Sequence, residues 1–303
     1  MINRPTKTAI AIKYVIWFIL PNILPISKQN LGFAVHKSLI SPKKCDNIKP
    51  MGHKNYEQKI EQKIESDAKK RFFVESANIG KVVIDGEEHN HLANVMRFKV
   101  GDQVILVCND NFDYIGKIEE ILKNFSVVNV FEKKENTSNP QIDITAFVAM
   151  NKREQTSLMV RMLSEIGVST FVPMITKYTL PQDTTEKIER YQKIADQSAK
   201  QCRRSLTLKI EKPQKLDDVI NQFKNFDAVF FAYENEDKFV LKKFDKPCKK
   251  IAFLVGPVAG FDKTEATKIV GNGAVSVSLG KRILREETAC VALASILVEK
   301  FEN

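Results

Sequence analysis

The sequence predicts an α/β protein in two parts: a small β-rich barrel or sandwich, then a larger domain on a mostly parallel sheet covered on both faces. Three observations carry this. Short β-type runs separated by turn signals fill the stretch from Arg71 to Phe131. From Ile142 onward the pattern becomes strand then helix, repeated, which builds parallel sheets because each crossover returns the chain to the same end. The chain has 303 residues, 43% hydrophobic and 28% charged, which suffices for two domains of ordinary size and excludes disorder as the dominant state.

In the first part the β-type runs are Arg71 to Val74, Lys81 to Ile84, Gln103 to Val107, Asp113 to Ile118 and Phe125 to Phe131. Turn signals at Asp85-Gly86, Val100-Gly101-Asp102 and Asn109 to Asn111 divide them, and Glu87 to Met96 reads as a helix. Residues 71–135 form this domain, and the polar, aperiodic Glu132 to Pro140 reads as the linker. In residues 141–303, strands are expected at Ile142 to Met150, Val168 to Ile175, Ala228 to Ala232, Lys250 to Val255 and Ala274 to Leu279. Helices are expected at Glu154 to Ile166, Thr184 to Gln201, Lys263 to Val270 and Glu286 to Phe301.

The formal charge of +10 is unevenly spread. Residues 1–70 hold 13 Lys and Arg against 5 Asp and Glu, leaving 34 against 32 in residues 71–303. Any nucleic-acid contact by the body must therefore use local patches. Within the leader, residues 9–20 are an apolar run behind Arg4 and Lys7, as in a secretory signal, but no A-x-A site follows and prolines stand at 21 and 25. Twelve residues with Lys13 inside fall short of the roughly 20 that a membrane-spanning helix needs. Residues 1–50 read as an upstream-start artefact or a disordered extension, with Met51 or a nearby codon as the true start, and residues 54–70 as a solvated helix or tail. The expectation is a cytoplasmic protein with no membrane partner.

The five cysteines, Cys45, Cys108, Cys202, Cys248 and Cys290, are far apart and form no C-x-x-C pair, which argues against a disulfide framework or zinc site and fits a reducing compartment. All four histidines (His36, His53, His89, His91) precede residue 92, so the C-terminal domain has no Ser-His-Asp, Cys-His or His-ligated metal site of its own. No metal is expected. His89 and His91 lack a third ligand nearby and read as structural or RNA-facing.

In open α/β sheets ligands bind beyond the carboxyl ends of strands, which directs attention to two loops. The first is Leu254-Val-Gly-Pro-Val-Ala-Gly-Phe261, whose glycines and small residues let a backbone approach a ligand while proline stiffens the turn. The second, Leu279 to Ala289, is basic and partly apolar and leads into a helix with Glu286 and Glu287 in its first turn; complementing the helix dipole would by itself account for one of these carboxylates. No G-x-G-x-x-G follows a strand and no G-x-x-x-x-G-K-[ST] occurs, so neither a dinucleotide-binding site nor an NTPase is supported.

Leu254 to Gly260 and Ser278-Leu-Gly-Lys-Arg-Ile-Leu-Arg-Glu-Glu-Thr-Ala289 resemble the closing motifs of the SPOUT methyltransferases, specifically the ribosomal RNA small subunit methyltransferase E family. Four more segments agree in order: Arg71 to Val74; Glu88 to Arg97 followed by Val100-Gly-Asp102; Ser164 to Val168 before a strand; and Lys193 to Arg203. The resemblance covers Arg71 to the C-terminus. It implies a PUA-like barrel, then a SPOUT domain whose C-terminal chain forms a trefoil knot, working as a homodimer. It further implies transfer of the S-adenosylmethionine methyl to N3 of a uridine in 16S ribosomal RNA of the small subunit. By this similarity the cofactor lies among Leu254, Gly256, Pro257, Gly260, Leu279, Gly280, Ile283 and Leu284.

That chemistry needs alignment and the handling of one proton, which suits a site without histidine. Deprotonated uracil N3 spreads negative charge onto two carbonyls; Arg285 is assigned to stabilise it and Glu287 to take the proton. Phosphate binding by Arg285 and dipole complementation by Glu287 are the alternatives. Expected RNA contacts are Arg71, Arg97, Lys99, Lys152, Lys200, Arg203 and Arg204, with Lys209 in the last cluster, although charge runs are commonly just solvated faces.

The chain departs from the family pattern where Val258 and Ala259 replace the Glu-Gly of Gly-Pro-Glu-Gly-Gly, where Arg161-Met162 replaces Gln-Lys, and where Lys200 replaces Glu. A narrowing of the pocket by Val258 would weaken cofactor binding. The rival readings are an RNA-binding protein that keeps the fold with weak or lost catalysis, and a membrane-tethered interaction protein that depends on residues 9–20.

Overall fold

Two sheets organise the chain in a computed structural model, which describes residues 70–302 apart from 151–152, 180–184, 235, 237–240 and 242–243. The leader, including residues 9–20, and Lys152 lie outside the described residues.

The first sheet has five strands: β1 (Arg71–Phe73), β2 (Gly80–Asp85), β3 (Gln103–Val107), β4 (Phe112–Ile121) and β5 (Phe125–Glu135). Their order is β1-β3-β4-β5-β2, antiparallel except for the β1–β3 pair. Alternation puts Val82 and Ile84 of β2, Val104 and Leu106 of β3, Tyr114 and Ile118 of β4 and Val128 and Val130 of β5 into one core with Phe72 and Leu92. The expected helix at Glu87 to Met96 begins as α1 (Gly86–Asn90) and continues with π geometry over His91–Val95. Strand β5 runs to Glu135, so the first four residues of the expected linker pair with Phe112–Ile115 of β4 instead.

The second sheet comprises β6 (Asp143–Ala149), β7 (Thr170–Ile175), β8 (Lys209–Ile210), β9 (Gln214–Lys215), β10 (Ala228–Ala232), β11 (Lys250–Val255) and β12 (Val275–Val277). Its order is β12-β10-β11-β6-β7-β8, with β9 also on β7, and every pairing is parallel. The helices are α2 (Arg153–Ile166), α3 (Thr185–Gln201), α4 (Leu216–Ile220), α5 (Lys263–Gly271) and α6 (Glu286–Phe301). On one face α2, α3 and α6 bury Met159, Leu163, Tyr191, Ala195, Leu293 and Leu297 against Ala146, Phe230 and Phe253. On the other, Leu216, Val219, Ala266 and Ile269 meet Phe147, Phe231 and Leu254. Successive strand residues thus serve opposite cores, the reason these strands read as continuous apolar runs. No helix among the described residues is long and apolar enough to cross a membrane.

Candidate active site

Three parallel strands end at one place. Ala232, Val255 and Val277, the last residues of β10, β11 and β12, line a cavity of about 860 Å³ together with both loops singled out above. This is the crevice that a parallel sheet offers at its carboxyl edge, within the size range of small-molecule sites. Of the expected cofactor residues, Gly256, Pro257, Gly260, Leu279, Gly280, Ile283 and Leu284 all line it. Leu254 does not. It is fully buried and packs in the core beneath α4 and α5, because the two-residue period turns it away from Val255.

The first loop needs its glycines. A β-carbon on Gly256 would stand 2.6 Å from the Phe261 ring, and Gly260 has φ +75° with Glu234 Oε1 2.7 Å from where its β-carbon would be. At both positions a side chain would collide with its surroundings, so the loop keeps this path only with glycine. Val258, 79% exposed, and Ile283, 88% exposed, also line the cavity.

The second loop brings Lys281, Arg282, Arg285, Glu286 and Glu287 to the same cavity. Arg285 is the N-cap of α6 and exposed; Glu287 is half-buried in its first turn. The expected catalytic pair therefore lines the same cavity as the glycine loop. Glu286 is buried, and Cys290 one turn on has its thiol pushed far up, by burial first and then by the Glu286 carboxylate.

Sequence reasoning missed Met150, Gln155, Tyr178, Tyr233 and Glu234, which also line the cavity. Tyr233 and Glu234 directly follow β10, so the rule about carboxyl ends of strands would have found them. Tyr178 is reached by the same rule, three residues beyond the end of β7. It sits in a turn after β7 that is fastened to the start of α5: Lys177 N donates to Glu265 Oε1 (2.8 Å) and Lys177 Nζ to Asp262 Oδ2 (2.7 Å). Asp262 and Glu265 form the capping box of α5. The Lys177 contact, followed by those from Thr264, holds the Asp262 carboxyl far below the usual carboxylate range.

The expected RNA contacts divide. Arg97 and Lys99 are exposed. Arg71 is buried and grips Asp113 with two bonds of 2.8 and 2.5 Å. Arg204 is also buried, donating to the carbonyls of Ser164 (2.7 Å) and Val168 (3.2 Å) and to Asn139. Both are withdrawn from RNA contact, since their guanidinium groups tie protein to protein. Lys200 is partly buried and ion-paired with Glu88, and Arg203 is half-buried with its backbone carbonyl accepting from Asn136. His89 is buried between Ser126 Oγ (2.9 Å) and the Lys123 carbonyl, a structural role. No cluster of metal ligands occurs among the described residues.

A family model for an RNA methyltransferase domain matches residues 137–298, and one for an RNA methyltransferase PUA domain matches residues 84–131. The ribosomal RNA small subunit methyltransferase E of Aquifex aeolicus is 30% identical over 65% of this chain and 86% of its own; that of Buchnera aphidicola is 27% identical over 72% and 87%. Among solved structures, a ribosomal RNA small subunit methyltransferase E from Neisseria gonorrhoeae bound to S-adenosylmethionine superposes with TM-score 0.72 at 20% identity, covering 76% of this chain and 97% of that one. A Legionella pneumophila protein solved with bound SAM gives 0.71 at 23%, covering 77% and 98%. A PUA-type domain ahead of a parallel α/β domain with a cavity at its carboxyl edge defines an RNA methyltransferase. Within that class, the chain belongs to the ribosomal RNA small subunit methyltransferase E family.

Proposed function

We propose that the protein transfers a methyl group from S-adenosylmethionine to N3 of a uridine in 16S ribosomal RNA. The observation that carries this reading is the meeting, in one cavity, of a close-approach glycine loop and a basic loop that ends in a carboxylate pair. The residues present suit the donor: Gly256, Pro257, Gly260, Leu279, Gly280, Ile283 and Leu284 supply backbone and apolar surface of the kind that holds a flat adenosyl group. When bound, S-adenosylmethionine supplies a methyl group already activated by sulfonium sulfur, which departs with the bonding pair as neutral thioether.

The chain's own groups then have two tasks. The Glu287 carboxylate takes the proton from uracil N3, freeing the pair that forms the new N–C bond. The Arg285 guanidinium offsets the charge that builds on the flanking carbonyl oxygens. Exposed Arg97 and Lys99 extend the contact to RNA phosphates, with residues 71–135 acting as the RNA-binding barrel and residues 141–303 as the catalytic domain. The family resemblance of residues 254–289 is what supports a trefoil knot in the C-terminal chain. A homodimer is supported by α6, whose residues 289–298 carry no charge and leave Ile296 43% exposed beside α2.

The test is methyl transfer from radiolabelled S-adenosylmethionine to small ribosomal subunits, with the modified base mapped by mass spectrometry. Label on a 3-methyluridine supports the reading. Label on ribose or another base, or no label with intact folded protein, overturns it.

A further inference from the structure

This inference deepens the reading above and rests on it: the cavity must hold a nucleobase beside the methyl donor. Two aromatic side chains line the cavity, Tyr178 and Tyr233. Tyr233 is already stacked on Phe231, with ring centroids 5.1 Å apart and planes 18° from parallel, so one of its faces is covered. Tyr178 is 46% exposed, and among the described residues its ring meets no other ring. Lys177 Nζ lies 5.4 Å from its centroid.

The position of Tyr178 is specified with unusual care for an exposed residue. Its turn is closed by Thr179 N donating to the Thr176 carbonyl (3.1 Å) and by Thr176 N donating to Thr179 Oγ1 (3.0 Å). The turn is pinned across more than 80 positions of sequence to Asp262 and Glu265, and the Tyr178 hydroxyl itself points to Asp262 Oδ2 at 3.4 Å. The backbone anchors of the turn, Lys177 N to Glu265 Oε1 and Thr179 N to the Thr176 carbonyl, place the ring, which remains 46% exposed.

A base that reacts at N3 must leave its stack and its pairing edge must be free, so the reacting enzyme has to replace the lost stacking. A fixed aromatic face at the mouth of the site does this without reading the pairing edge. We propose that Tyr178 is the stacking platform for the target pyrimidine, holding its ring plane while Arg285 and Glu287 address its edge.

The experiment compares wild type with Tyr178→Phe, which keeps the ring, and Tyr178→Ala, which removes it. Calorimetry gives the affinity for S-adenosylmethionine, and labelled transfer to small ribosomal subunits gives kcat/KM for the RNA. Base–aromatic stacking predicts a fall in kcat/KM of about 5- to 150-fold for Tyr178→Ala, with Tyr178→Phe close to wild type and donor affinity unchanged in both. Wild-type transfer by Tyr178→Ala overturns the proposal. So does equal damage in Tyr178→Phe, or a parallel loss of donor affinity, which would give the ring to the adenosyl group instead. A binding readout separates this proposal from the methyl-transfer reading: the Tyr178→Trp variant, whose added fluorophore is compared with the single native Trp17, is titrated with oligouridylate without donor. Quenching supports the platform even if wild type transfers no methyl group; absence of quenching overturns it even if transfer is robust.

Discussion

The side-chain amide of Asn136 donates to the backbone carbonyl of Arg203 at 2.9 Å, and the same nitrogen donates to Asp113 Oδ1 at 2.8 Å. One buried amide thus joins β4 of the first sheet to the turn after α3 of the second. Asn139, three residues on and also buried, donates to Asn111 Oδ1 (2.7 Å) and Ser205 Oγ (2.9 Å) and accepts from Arg204 Nε (3.3 Å). The junction between the two sheets is therefore a fixed polar bracket.

Removing a bracket residue strands its partners away from water. Asn139→Ala is expected to destabilise the protein by about 2 kcal/mol or more, because several buried groups lose a partner together. Urea unfolding measures this. A change within about 0.5 kcal/mol, the range of ordinary surface substitutions, contradicts the bracket.

Two kinds of arginine should behave differently. Arg71→Ala leaves Asp113 as an unpaired, largely buried charge and should cost about 3 kcal/mol of stability. Arg97→Ala and Lys99→Ala should leave stability nearly unchanged while each lowers the salt dependence of RNA binding by about one unit of slope. Filter binding at several salt concentrations, beside thermal melts, separates the two classes.

At Gly256 an added methyl group meets the Phe261 ring, which is itself buried. Gly256→Ala should cost about 1–3 kcal/mol of stability through this overpacking and weaken donor binding by about tenfold as the loop shifts. Calorimetry on the folded variant reads the second effect; unchanged affinity would place the donor elsewhere.

Asp262 gives a pH dependence with a definite sign. Its folded pKa lies below the unfolded value of about 3.9, so its contribution is complete above that value and fades as pH falls through the folded one. Asp262→Asn should therefore lower the thermal midpoint near neutral pH and flatten its decline below about pH 4. A variant with the same acid decline as wild type would show that the Lys177 contact does not persist in solution.

Much of this was legible in the sequence, for physical reasons. Continuous apolar runs such as Ala228–Ala232 and Lys250–Val255 are what a sheet buried on both faces requires, and the loops beyond them hold the glycines that close approach demands. Strands β8 and β9 were not legible, being two residues each, nor was α4, whose five residues are held by the packing of Leu216, Val219 and Ile220. The wrong reading of Arg71 and Arg204 has one cause: their partners Asp113, Ser164 and Val168 lie about 40 positions away, and charge says nothing of burial until the fold is known. The anchoring of Tyr178 was not legible for the same reason, Asp262 and Glu265 being more than 80 positions distant.

The central claim is that the loops Gly256–Gly260 and Leu279–Arg285 form one site for the methyl donor. The most direct measurement is a crystal structure of the protein with S-adenosylmethionine. Density for the donor is expected between these two loops, with its methyl group on the side of Arg285 and Glu287. Density at another place, or a cavity closed by Ile283 and Leu284 while the crystals are saturated with donor, would contradict it.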